Sequence, residues 1–248
     1  MLLAALARMP GPGSTAEDLT ISSVPFSCLA IETATELPSV ALLRAGTLTV
    51  RQARGMRAPS SAVFEWVREL LDEAHASFSE LDCIAFGAGP GSFTGVRVAV
   101  ALAQGLGYAR GLPLCPVSTL AALAAGALEG SAADSVACCL DARMGEVYFG
   151  MYRRDGEGVC ALAPDALLNP DAVSLPGEGA FVAVGPGWTA YPQLAGRLQA
   201  RLLGIDTERL PTAADVARLA RPLFLAGHVV SAAEALPNYL RDRVTSVG

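Results

Sequence analysis

The chain has 248 residues, 52% of them hydrophobic and 17% charged, which is too apolar for a disordered protein and long enough for one large domain or two small lobes. Its 18 basic residues face 24 acidic ones, giving a net charge of -6 with no dense basic run, so it does not have the composition of a chain that grips nucleic acid unaided. The two histidines, His75 and His228, lie far apart without a metal-spaced neighbour, which argues against a zinc or iron catalytic site.

Residues 1–25 are rich in Pro, Gly and Ser and read as a poorly ordered extension. The apolar start Met1–Ala7 is too short for a signal peptide and lacks a leading basic region. Strands are expected at Ser27–Thr33, Ser39–Leu43 and Thr47–Ala53, the last two joined by a turn at Ala45-Gly46. A helix over Ser61–His75 follows from the 3-4 spacing of Val63, Trp66, Val67, Leu70, Leu71 and Ala74. A strand at Cys83–Phe86, a glycine-rich turn and a helix over Thr94–Ala109 complete an order of βββαβα. The most apolar stretch, Leu112–Leu128, is broken by Pro113, Pro116, Ser118 and Thr119 and is no membrane span. In the second half, Val136–Leu140, Val147–Tyr152 and Val159–Leu162 read as strands and a weak helix starts near Pro170. Phe181–Val184 is a further strand, and a helix covers Ala213–Ala226. That is βββαβα again. The expected fold is therefore α/β, two lobes on the plan of the actin, sugar-kinase and Hsp70 superfamily, with a ligand cleft between them. The first lobe spans 26–110 and the second 111–248, with a last helix able to cross back.

The segment Ala85–Arg97, AFGAGPGSFTGVR, runs from strand through glycine turn to helix start. Gly89 and Gly91 with the N-cap candidates Ser92 and Thr94 would offer exposed N–H groups to an anion or nucleotide; a tight turn without a ligand is the alternative. Along the following helix, Gly95, Ala99, Ala103 and Gly107 are spaced by four and form a stripe of small residues. The stripe fits either the close approach of a partner helix or packing on the protein's own sheet. The larger side, with Val96, Val98, Val100, Leu102 and Leu106, is already apolar enough to cover that sheet, which leaves the stripe as a partner interface. In Leu140–Tyr152, LDARMGEVYFGMY, Asp141, Arg143 and Glu146 surround a polar turn that either ties a hairpin or contacts the cleft. In VGPGWT, Gly185 and Gly187 could admit a nucleotide base or simply turn the chain. The six cysteines form no C-x-x-C pair and mostly sit in apolar runs, as expected of buried thiols in a reducing compartment. No G-x-S-x-G elbow, G-x-x-x-x-G-K-[ST] loop or G-x-G-x-x-G fingerprint occurs.

Several blocks together closely resemble the TsaB (YeaZ) family: LAIETAT at Leu29–Thr35, GAGPGSFTGVRVA at Gly87–Ala99, AQGLGYARGLPLCPVSTLAALA at Ala103–Ala124, LDARMGEVYFGMY and EALPNYLRDRV at Glu234–Val244. The resemblance implies a cytoplasmic, non-catalytic subunit required for threonylcarbamoylation of the adenosine beside the anticodon of tRNA. It implies pairing with the catalytic subunit TsaD through helices of the first lobe, a further partner in the small ATPase TsaE, and a possible homodimer on the same surface. ATP and metal are then expected in TsaD rather than here, and tRNA only through the complex. Glu32-Thr33-Ala34-Thr35 stands where active superfamily members hold phosphate and magnesium, but without their glycine; Glu32 also replaces the Asp more usual in TsaB. Pro59-Ser60 replaces a family His followed by Ser or Thr. The alternative is a self-sufficient ATP-dependent kinase or ATPase of the same fold.

Overall fold

The structure, a computed structural model, describes residues 26–53 and 60–241. The extension expected at 1–25 and the Pro59 departure lie outside the described residues. The first sheet opens with β1 (Cys28–Glu32), β2 (Ser39–Arg44) and β3 (Thr47–Gln52), and adds β4 (Cys83–Gly89) and β5 (Leu114–Ser118) in the order β3-β2-β1-β4-β5. β1 runs antiparallel to β2 and parallel to β4. Every residue of β1 and β4 is buried, because helices cover both faces of the sheet, which is why both read as continuous apolar runs. On one face lie α1 (Ser60–Glu73) and α2 (Phe93–Arg110), sharing a core of Leu29, Ile31, Val67, Leu70, Phe86 and Val96.

The second sheet repeats the plan. It contains β6 (Ser135–Arg143), β7 (Glu146–Asp155), β8 (Gly158–Ala161), β10 (Phe181–Val184) and β11 (Leu202–Asp206) in the order β11-β10-β6-β7-β8, with β9 (Ala166–Leu168) added on β7. β6 is antiparallel to β7 and parallel to β10, as β1 is to β2 and β4. The two βββαβα lobes of the actin-like fold are thus present, with one reduction: the weak helix expected near Pro170 is a single 3-10 turn, Pro170–Ala172. The helical segment after β10 is broken into α4 (Gly187–Ala190) and α5 (Gln193–Leu198) at Pro192.

Two helices exchange lobes. α3 (Thr119–Leu128) leaves the first sheet and packs on β6 and β7. α6 (Ala213–Leu225) leaves the second sheet and returns to cover β1, β2 and β4, so the last helix crosses back. The first sheet extends to Ser118, past the boundary expected at 110. β5 and α3 carry no amphipathic period, because α3 is enclosed by the second sheet and α6. Pro116 is tolerated because β5 is the sheet edge. Five cysteines are buried and Cys160 is exposed; all six are free. Among the described residues, no helix is long and apolar enough to cross a membrane.

Candidate functional site: the interlobe cleft

Between the lobes lies a cleft of roughly 1210 Å³, lined by the β1–β2 hairpin, the β4–α2 turn, the β6–β7 hairpin and the last described residues of the chain. Gly91, Ser92 and Thr94 do line it, whereas Gly89 faces the backbone of Asn238 instead.

The start of α2 is partly engaged by the protein itself. Ser92 N donates to Ala34 O at 2.7 Å, Ser92 Oγ accepts from Gly95 N at 3.4 Å, and Thr33 Oγ1 donates to Gly95 O at 2.6 Å. A Cβ on Gly91 would stand 2.5 Å from Ala34 O, and one on Gly95 would collide with Thr33 O. These two glycines therefore let the first hairpin seat its own carbonyls on the helix start, where a phosphate would otherwise bind. Ser92 N and Gly95 N are thus taken by the protein itself, and the backbone of the first hairpin narrows the approach to the helix start.

Glu32 was expected among the polar groups of the cleft, but it is fully buried behind the hairpin. Its Oε1 accepts from Ala34 N at 2.7 Å and its Oε2 from Thr119 Oγ1 at 3.4 Å. Gly87 has no side chain because the Glu32 carboxylate takes that space. Burial pushes the carboxyl up to about 7; the Ala34 and Thr119 hydrogen bonds pull it down, and nearby Asp215, from the first turn of α6, adds to the rise. β1, α3 and α6 thus converge on one acid buried behind the hairpin.

Asp141 and Arg143 do line the cleft, and Arg143 Nη1 pairs with Asp141 Oδ2 at 3.0 Å, while Asp141 Oδ1 accepts from Arg143 N and Tyr191 Oη. Glu146 instead pairs with Arg241 at 2.7 Å. The GPG turn after β10 lies directly on β6: a Cβ on Gly185 or Gly187 would collide with the Cys139 backbone or thiol, so these glycines serve close packing within the lobe. Burial and Asp141 push that thiol up to about 12.

The small-residue stripe faces inward, correcting its assignment to a partner. Ala99 and Ala103 are fully buried in the first-lobe core, Gly107 is buried against Leu114, and Gly95 meets Thr33. The small side chains let α2 lie low on β4 and β5, while Val98, Leu102 and Leu106 flank the contact half-buried. The outward face carries Arg97, Ala101, Gly105 and Tyr108, the last 85% exposed, and a Cβ on Gly105 would meet nothing within 4 Å.

Two arrangements were not foreseen from the sequence. Asp165 accepts from Ser118 Oγ at 2.6 Å and from Tyr152 Oη, joining the end of β5 to β7; burial raises the pKa of both Asp165 and Tyr152. The segment after α6 runs back over the first lobe to the cleft mouth, where Tyr239 accepts from Arg97 Nε at 2.7 Å. The sequence marks this segment by the family block EALPNYLRDRV and its cluster of Asn238, Tyr239 and Arg241, without periodicity to say where it packs. Among the described residues, no three His, Cys, Asp or Glu side chains come together as metal ligands.

The family model described as "TsaD: tRNA N6-adenosine threonylcarbamoyltransferase" matches residues 55–247. The tRNA threonylcarbamoyladenosine biosynthesis protein TsaB of Escherichia coli is 39% identical over 222 residues, covering 87% of this chain and 95% of that protein. The TsaB protein of Haemophilus influenzae is 37% identical over 236 residues, covering 89% and 95%. The solved structure of YeaZ from Pseudomonas aeruginosa superposes with a TM-score of 0.79 at 38% identity, covering 87% of this chain and 100% of that one. A second Pseudomonas aeruginosa structure, described as an uncharacterized protein with similarity to peptidase YEAZ, gives 0.81 at the same identity and coverage. Identity of this extent over nearly the full length of the relatives, on the same fold, places the chain in the TsaB (YeaZ) family of actin-like ATPase folds.

Proposed function

We propose that this chain takes part in making threonylcarbamoyladenosine on tRNA as a subunit without catalytic chemistry of its own, acting in the cytoplasm by binding the transferase TsaD. The names of its TsaB relatives support the pathway. The observation that carries the non-catalytic reading is the seating of the first hairpin on α2, where Ala34 O takes the Ser92 amide at 2.7 Å. Hairpin backbone pressed on the helix start leaves less room there for a phosphate, which supports that reading. Its net charge of -6 leaves the grip on tRNA to the partner. ATP and metal then belong to TsaD, with TsaE as a further member of the complex.

The docking face is the outer side of α1 and α2, where Phe64 is 54% exposed and Tyr108 stands beside the small residues Ala101 and Gly105. The same face would serve a homodimer. The test is co-purification with TsaD from the same organism and a tRNA modification assay with and without this chain. Gly105→Trp is expected to keep its melting temperature while weakening TsaD binding roughly tenfold or more, since it adds bulk only outside. Ala103→Trp is expected to lose the fold itself. ATP turnover or threonylcarbamoyl transfer by the isolated chain, abolished by Glu32→Gln, would overturn the non-catalytic reading; unchanged TsaD binding by Gly105→Trp would overturn the docking face.

A further inference from the structure

We propose that the C-terminal segment is a clasp, anchored along the first lobe and closed on the second by Arg241, that sets the opening of the interlobe cleft. The anchor is extensive. Leu114 and Val230 exchange both backbone hydrogen bonds, at 2.9 and 2.8 Å, and so cover the free edge of β5. Gln104 Nε2 donates to Ala235 O at 2.8 Å and Asn238 N to Ala88 O at 2.7 Å. Tyr239 then packs on Phe93, with ring centroids 5.9 Å apart, and accepts from Arg97. Up to this point every contact named is to the first lobe.

Among the described residues of the segment, Arg241 reaches the other side. Its guanidinium pairs with Glu146 at 2.7 Å, donates to Ala142 O at 3.1 Å and touches Met144 Sδ at 3.3 Å. Among the described residues, the hydrogen bonds and ion pairs that join the segment to the β6–β7 hairpin all end on this one side chain. The pair is partly shielded, with 17% and 34% of the two side chains exposed, so it holds better than a surface ion pair yet stays within reach of solvent. The hairpin it grips is conformationally costly. Arg143 and Met144 both sit at left-handed φ, 63° and 56°, where bulky residues are disfavoured, and Met144 points outward, 64% exposed. An anchor on one lobe, a releasable contact to the other and a strained receiver at the mouth of a cleft are the parts of a latch.

The full chain tests this with spin labels on Arg68→Cys in α1 and on the exposed native Cys160 in β8, the other five cysteines being buried. Pulsed electron resonance should give one narrow distance population for the parent. Arg241→Ala and Glu146→Ala should each broaden it toward longer distances, and the double variant should add nothing further. Amide exchange at 141–146 should rise roughly tenfold in each single variant while α6 stays unchanged. A parent-like distance distribution in all three variants would overturn the clasp, as would a loss of cooperative melting, which would make Arg241 a structural staple and not a latch.

Discussion

The two lobes carry equivalent first hairpins, and these have opposite fates. In the first lobe the β1–β2 hairpin turns inward: Thr33 and Ala34 press on the start of α2, and Glu32 is sealed beneath. In the second lobe the tip of the β6–β7 hairpin stays exposed: Arg143 and Met144 are solvent-accessible at the edge of the cleft, and Glu146 is taken by the C-terminal segment. The difference follows from what lies opposite. The first hairpin faces a long helix whose Gly91 and Gly95 leave room for its carbonyls, whereas the second faces the four-residue α4. In the first lobe the hairpin is packed on a helix of its own lobe; in the second the same hairpin is more exposed.

The largest effect is expected from breaking the inward contact. Gly95→Ala places a Cβ on the Thr33 carbonyl with backbone on both sides, and should cost about 3 kcal/mol despite the better helix propensity of Ala, read by urea denaturation. A parent-like midpoint would mean that the hairpin moves aside easily and that the helix start is open to a ligand.

Next is the buried acid. The Glu32 carboxyl is raised from an ordinary 4.5 to about 7 in the folded protein, so the folded state holds its proton where the unfolded chain has lost it. Its contribution is therefore fully present below about pH 4.5 and is lost as pH rises to about 7. Glu32→Gln removes the titration, and should be more stabilising at pH 8 than at pH 5 by about 2 kcal/mol in denaturant melts. An identical difference at both pH values would show that the carboxylate has a charge partner in the folded state.

The smallest effect is on the outward hairpin. Met144→Asn puts a residue tolerant of left-handed φ at the tip and should raise stability by about 1 kcal/mol, seen as a higher melting temperature. A loss of stability would mean that the Arg241 contact to the thioether outweighs the backbone strain.

Much of this was legible beforehand. The first three strands, α1 and α6 were expected within a few residues, because each has either a buried run or one apolar face. The repeat of βββαβα was readable from element order alone. The orientation of α2 was not. Small residues every four positions permit close approach without saying to what, and only the contacts of Gly107 with Leu114 and Gly95 with Thr33 show it to be the protein's own sheet and hairpin. The resemblance places Glu32 on the phosphate hairpin of the cleft, but Gly87 from β4 and Thr119 from α3 enclose it.

The sequence by itself determined the elements, the doubling and the glycine turns, since periodicity and backbone permissiveness are properties of neighbouring residues. Only the tertiary structure decided which faces are covered. That depends on α3 and α6 exchanging lobes, on a hairpin seated 60 residues away from its helix partner in sequence, as in the pair Thr33 and Gly95 with a separation of 62, and on a C-terminal segment that returns to β4 and β5. Contacts of that range are set by how whole layers stack to exclude water, and no local pattern in the chain encodes them.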